Sequence, residues 1–214
     1  MGRPLSKNSR IAICLFAKAP LLGRVKTRMQ PMLTPAESLA LHCDLLQLCC
    51  DNLSSLDRDR FQLELHVTEP SEFLTELARG HGFSVEIQKG ANLGARMSHA
   101  VRQSLRRHRA VLLVGADCPS VDAPLVERVG DSLRHNQVVM VPALDGGYVA
   151  LGLTEHAPEL FCNIPWGNET VARETAQRIE QFGWSREYFP AEADIDRPDD
   201  LKYLRGKLDF WSER

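Results

Sequence analysis

Two runs in this chain, AVLLV at 110–114 and VVMV at 138–141, are apolar at every position rather than at every second one. A strand with one solvated face alternates polar and apolar residues, whereas a strand covered by helices on both faces has no polar side to show. Such runs therefore point to a sheet buried in the middle of a three-layer stack. Further strand-like runs lie at 11–17, 61–67, 83–88 and 147–153, with a last piece at 187–190. Between them, helical spacing recurs near 36–53, 71–79, 94–107, 124–134, 168–182 and 198–208. Thr34, Pro35 and Glu37 supply an N-cap, a first-turn proline and a capping-box partner for the first helix. The alternation predicts an α/β fold, three-layer α/β/α, with a mostly parallel central sheet.

A chain of 214 residues fits one such domain with a full core. No repeat, low-complexity tract or long Pro/Gly/Ser linker divides it, so we expect a single domain over 10–214 and a flexible start over 1–9. The net charge of −2 gives no global pull towards nucleic acid or membrane. The apolar run Ile11 to Phe16 is shorter than a signal-peptide core, and no segment has the length of a membrane span, so a cytoplasmic protein is expected. Six cysteines form no C-x-x-C pair and no spaced Cys/His set, which indicates neither a zinc site nor an iron–sulfur cluster, but reduced thiols.

Ligands of open α/β sheets bind beyond the carboxyl ends of the strands, so the residues that follow each strand carry the functional argument. AKAPLLGRVKTRM, 17–29, combines Lys18, Arg24, Lys26 and Arg28 with Gly23, whose missing side chain lets backbone amides approach an anion. The stretch reads as a phosphate cradle or as a solvated basic loop. Neither a Walker loop nor G-x-G-x-x-G is present. Asp117 follows the run 110–115 and is either the cap of the next helix or a metal carboxylate. ALDGGYVAL, 143–151, signals a turn at Asp145-Gly146-Gly147 that presents Asp145 to the same edge. In EADIDRPDDL, 192–201, Asp194 and Asp196 share one side of an extended segment. Two carboxylates on one face repel each other unless a cation such as Mg²⁺ lies between them, or Asp196 instead caps the last helix.

Five motifs in order, FAKAP-x-x-G-x-VKTRM, GADCPSVD, DGGY, IPW at 164–166 and D-I-D-x-P-x-D-L, resemble a bacterial transferase family of the GT-A nucleotide-diphospho-sugar transferase superfamily. The family is of the radical-SAM/selenodomain-associated type, and the match runs from about Ile11 to Leu204. Relatives at the fold level include guanylyltransferases and cytidylyltransferases. The resemblance implies that Asp117 and Asp194 or Asp196 hold Mg²⁺ or Mn²⁺, and that Lys18, Gly23, Arg24, Lys26 and Arg28 hold nucleotide phosphates. It places Gly94 and Arg96 of NLGARM near the base or ribose, Asp145 and Asp117 in catalysis, and Gly146, Gly147, Tyr148 and Trp166 at the acceptor. The chain departs from the family pattern at Arg197, and at Gly167 and Asn168 after the tryptophan.

Two reactions suit such a site. A glycosyltransferase takes a nucleotide-sugar donor and needs an acceptor base, for which Asp145 is the candidate. A nucleotidyltransferase joins an NTP to a small phosphorylated or acidic substrate with loss of pyrophosphate. The absence of a G-G-x-G-x-R-[ML] loop favours glycosyl transfer. A non-catalytic nucleotide-binding module is a third reading, and the presence of every expected carboxylate argues against it. A nucleotide or nucleotide-sugar and a small-molecule acceptor are the expected partners.

Overall fold

The computed structural model describes residues 8–214. Seven strands, β1 (Asn8–Ala17), β2 (Phe61–Val67), β3 (Ser84–Ile87), β4 (His108–Gly115), β5 (Val138–Pro142), β6 (Tyr148–Leu153) and β7 (Arg186–Tyr188), form one sheet in the order β3-β2-β1-β4-β6-β5-β7. Only β6 runs against its neighbours, because the short turn at 143–147 returns the chain beside β5 and between β5 and β4. The parallel pairs β1–β2, β1–β4, β2–β3 and β5–β7 are the mostly parallel sheet that the sequence predicts.

Helices cover both faces. On one face α1 (Pro35–Ser54), α2 (Glu72–His81) and α4 (Ala123–Ser132) bury Ile13, Leu15, Leu63, Leu65, Leu112 and Val114. On the other, α3 (Leu93–Ser104) and α5 (Val171–Gln181) cover Ala12, Cys14, Val111, Leu113 and Leu151. The alternation of β1 between these two sets explains why its sequence is apolar throughout from Ile11 to Ala17. The Thr34–Glu37 capping box that opens α1 is formed as expected, the Glu37 amide donating to Thr34 Oγ1 at 3.2 Å and the Thr34 amide to Glu37 Oε2 at 2.8 Å.

A third, smaller core decides where the site is. Met29, Leu33, Leu41 and Leu45 enclose Ile195, Leu201, Leu204 and Trp211, and the Trp211 indole donates to Asp44 at 2.7 Å. The segment after β7 is thereby clamped onto the loop after β1. Burial of these side chains contributes about 1.5–3 kcal/mol each and opposes the crowding of charges that it brings together.

The last region departs from expectation. In place of an α-helix over 198–208 there is a 3-10 helix, Pro198–Leu204, and then, past Gly206 at φ 76°, the single-turn α6 (Asp209–Ser212). A left-handed residue cannot continue a right-handed helix, so the glycine separates the two pieces. The expected loose start over 1–9 lies outside the described residues for 1–7, while Asn8 and Ser9 belong to β1.

Candidate active site

The carboxyl ends of β1 and β4 and the start of β6 open into a pocket of about 490 Å³. Lys18, Lys26, His42, Asp117, Arg96 and Asp196 supply its polar wall, and Phe16, Met97, Tyr148 and Trp166 its apolar one.

Lys26 is the centre of the polar wall. Its backbone is left-handed at φ 49°, an uncommon conformation for a residue with a Cβ, which costs of order 1–2 kcal/mol. A 3-10 turn, Thr27–Met29, follows and drives Met29 into the third core. The side chain is buried, its Nζ lying 2.5 Å from Asp117 Oδ1 and donating also to the carbonyl of Ile195. Lys26 thus ties the loop after β1 to the loop after β4 and to the segment after β7. The Ile195 amide completes the junction by donating to the Asp117 carbonyl at 2.9 Å.

Asp117 is not a helix cap. The cap of α4 is Asp122, whose Oδ1 accepts from the Leu125 amide at 2.9 Å. One Asp117 oxygen is enclosed beside Lys26, yet its side chain keeps 46% of its surface open to the pocket. Burial pushes the carboxyl up, but the Lys26 ammonium, reinforced by His42 and Lys18, outweighs it and holds Asp117 below its ordinary range. The carboxylate is therefore kept charged and half open.

Arg28 reaches the same junction and pairs with Asp196 at 2.6 Å. The two basic side chains converge because of the left-handed residue and the 3-10 turn that follows it. Asp194 has the opposite surroundings. Burial first, then the carboxylates of Asp145, Asp196 and Asp200, push its carboxyl up to about 6. Asp200 does not approach as a free charge, since it accepts from the backbone amides of Asp196 and Arg197 and so starts the 3-10 helix. Arg197 is exposed, and the cation on Asp196 is Arg28 instead.

Several expected residues fall elsewhere. Gly23 is left-handed at φ 72° with open space around it, and neither it nor Arg24, which is exposed, lines the pocket. Arg96 does line it, its Nε donating to the Gly90 carbonyl at 3.2 Å. Gly94 instead faces an adjoining groove of about 990 Å³, where a Cβ would stand 2.3 Å from the Phe161 carbonyl oxygen and 2.6 Å from the Trp166 indole nitrogen. Its role is close packing of α3 against the 161–166 loop. Trp166 forms a wall common to groove and pocket and meets Tyr148 edge-on at 6.3 Å. Gly146, at φ 92°, passes so close to the Glu169 carbonyl that a Cβ would be 2.0 Å from its oxygen. Gly147 donates its amide to Asp145 Oδ1 at 2.8 Å. Asp145 is thus exposed, partly engaged by its own turn, and outside the pocket lining.

Among the described residues, the only three or more His, Cys, Asp or Glu side chains with ligand atoms mutually within 4.8 Å are Cys14, Glu64 and His66. Asp117, Asp194 and Asp196 therefore do not close into a three-carboxylate cluster. Two residues escaped the sequence reading. His42, on the buried side of α1, meets the Lys18 carbonyl at 3.0 Å, and its apolar helical spacing hid it. Gln88 donates to the carbonyls of Ala17 at 3.1 Å and His66 at 2.8 Å, fastening the ends of β1 and β2 beside the pocket. Its place directly after a strand was the available signal.

A bacterial protein family described as "uncharacterized protein conserved in bacteria (DUF2064)" matches residues 39–168. The 3-phospho-D-glycerate guanylyltransferase of Colwellia psychrerythraea is 30% identical over 198 residues, which is 91% of each chain. The chain belongs to this family. A crystal structure from Desulfovibrio desulfuricans G20, described as a nucleotide-diphospho-sugar transferase, superposes with a TM-score of 0.83 at 26% identity, covering 94% of this chain and 89% of that one. A cytidylyltransferase of Leptospira borgpetersenii shares the fold at a TM-score of 0.61 and 15% identity, over 94% of this chain and 87% of that one. The nucleotide-diphospho-sugar transferase fold is thus the fold of this chain, and the chain is a transferase. No helix among the described residues is long and apolar enough to cross a membrane.

Proposed function

We propose that this transferase is a nucleotidyltransferase that joins a nucleoside monophosphate, guanylate in the first instance, to a small phosphorylated hydroxy acid. The observation that carries the reading is the junction of Lys26 with Asp117 and Ile195, which fixes a buried ammonium among three chain segments at the mouth of the pocket. An ammonium so placed serves a substrate that brings several negative charges to one point, as a triphosphate does. The relative named a 3-phospho-D-glycerate guanylyltransferase, alike over nine-tenths of its length, supports this reading over the glycosyl transfer that the missing Gly-rich loop favours.

In the reaction an acceptor oxygen attacks the α-phosphorus, a new P–O bond forms, and the bond to the pyrophosphate oxygen breaks. Lys26, Lys18 and Arg28 hold the phosphates and neutralise the charge that collects on the leaving pyrophosphate. Arg96 and Gln88 border the nucleoside, and the Trp166–Tyr148 pair excludes water on the acceptor side. Crowded carboxylates around a partly buried Asp194 fit a divalent cation, which relieves their repulsion. Mg²⁺ or Mn²⁺ would be held by Asp117, which lines the pocket, and by Asp194 or Asp196 of the segment after β7. When bound it supplies charge neutralisation and orientation of the triphosphate.

The experiment is product analysis with separately labelled GTP, other NTPs and NDP-sugar pools, offered with 3-phosphoglycerate and related acids. Pyrophosphate release with a nucleotidylated acid is the expected result. Sugar transfer without pyrophosphate overturns the reading. Asp117→Asn should fold, melt within a few degrees of the parent, and lose this turnover about 10²–10³-fold, the range for removing one preorganised group that acts on the transition state.

A further inference from the structure

On the α3 side of the sheet, away from Lys26 and Asp117, polar side chains replace the apolar core. Cys14 and Glu64 are directly opposite each other in the register of β1 and β2, and His66 follows Glu64 on the same face. Ser104 comes down from the end of α3. Around the single oxygen Glu64 Oε2 stand Cys14 Sγ at 3.6 Å, His66 Nε2 at 3.0 Å and Ser104 Oγ at 3.1 Å, with Cys14 Sγ 3.5 Å from Ser104 Oγ. The other oxygen, Oε1, is committed elsewhere: it accepts from Arg107 at 2.8 Å and faces His108 at 3.7 Å.

We propose that Cys14, Glu64 and His66, with Ser104 or a water as fourth donor, form a binding site for Zn²⁺ or a cation of similar softness. One thiolate, one imidazole and one carboxylate are a donor set that zinc accepts and that the hard ions of the transferase site do not favour. Donor atoms around a tetrahedral zinc with bonds of about 2.0–2.3 Å stand roughly 3.2–3.8 Å apart. The four separations given above, 3.0 to 3.6 Å, are within a few tenths of an ångström of that range, and Cys14 Sγ and His66 Nε2 lie within 4.8 Å of each other. Charge is balanced as well, since a thiolate and a carboxylate cancel the two charges of the ion, and Cys14 releases its proton to solvent on binding.

The surrounding groups hold the donors in place. Arg107 fixes Glu64 through its remote oxygen. The ring of Phe16 stacks on His66 at 5.2 Å with the planes 3° apart, and Gln88 donates to the His66 carbonyl. Outer contacts of this kind set the orientation of metal ligands. There is also a way in, because His66 and Ser104 line a surface pocket of about 720 Å³ between β3 and α3. Motif spacing shows none of this, since register between two strands, not separation along the chain, brings the ligands together.

The test uses the whole protein, loaded with zinc and desalted, then with cobalt in its place. The wild type is expected to retain close to one zinc per chain, to melt higher with zinc than after chelation, and to give a thiolate-to-cobalt charge-transfer band with tetrahedral d–d absorption. Cys14→Ser should abolish the charge-transfer band and His66→Asn the retention of zinc, while Cys162→Ser, which alters an exposed thiol, leaves both as in the wild type. A wild type that retains no zinc and shows no thiolate band overturns the proposal and leaves a proton-filled hydrogen-bond network. Retention of the band in Cys14→Ser overturns it equally, by placing the metal on another thiol. The wild-type measurement decides even where a ligand variant does not fold.

Discussion

Asp117 and Glu64 are two carboxylates held charged against burial, and the means differ. Both are pushed up by burial and brought back below the ordinary carboxylate range. For Asp117 the main counterweight is one ammonium, Lys26, and half of the side chain remains open. For Glu64 it is a closed set of donors, His66, Arg107 and Ser104, around a side chain 2% exposed. A carboxylate with every lone pair engaged holds the scaffold together and takes a cation only in exchange for the protons of its own donors. One with a single fixed partner and an open side has capacity left for a ligand.

The comparison breaks most visibly at Glu64. Glu64→Ala leaves two buried donors, His66 and Ser104, and the half-exposed Arg107 without their acceptor and is expected to destabilise the fold by about 3 kcal/mol, near the low end for a broken buried pair because Arg107 rehydrates. Urea unfolding measures it, and a loss under about 1 kcal/mol, the value of surface pairs, would put Glu64 in the same class as solvent-exposed ions. Lys26→Ala tests the other side. It should weaken phosphate-bearing ligands by about 1.5–3 kcal/mol while leaving nucleoside binding unchanged, as calorimetry with GTP and guanosine would show. Equal losses for both ligands would mean that Lys26, like Glu64, acts through the fold. Gly94→Ala sharpens the contrast from a packing position, with about 1–3 kcal/mol of overpacking against Phe161 and Trp166, read as a lower melting temperature. The smallest effect is expected at Asp145. Engaged by its own turn and outside the pocket lining, Asp145→Asn should raise the KM of the acid acceptor by about 1 kcal/mol, the scale of one hydrogen bond, with kcat little changed. A large fall in kcat would restore it as an acceptor base.

Sheet and helices were legible because their signals are local. Runs such as 110–114 and 138–141 carry the burial pattern in themselves, and Thr34 with Glu37 states where α1 begins. The last helix was not, because proline, glycine and a side chain bonding to the backbone compete there with an apolar pattern that suits an α-helix. At the site, residue types and the strand ends that present them were readable, and partners were not. Nothing in the sequence pairs Lys26 with Asp117 or Arg28 with Asp196, and their union depends on Met29, Leu33 and Ile195 sharing a core. The metal assignment of Asp117, Asp194 and Asp196 rests on residue type in the same way.

The clamp of Ile195 and Trp211 onto Met29 and α1 orders events during synthesis. All seven strands are complete once Tyr188 has left the ribosome, and the sheet has by then every residue that it pairs. Lys26, made near the beginning, meets a carbonyl 169 residues later. A growing chain can therefore fold its scaffold while the pocket still lacks Asp196 and Lys26 its second partner. On the function proposed above, stalled chains should retain GTP only after this last core has closed, which a release assay measures.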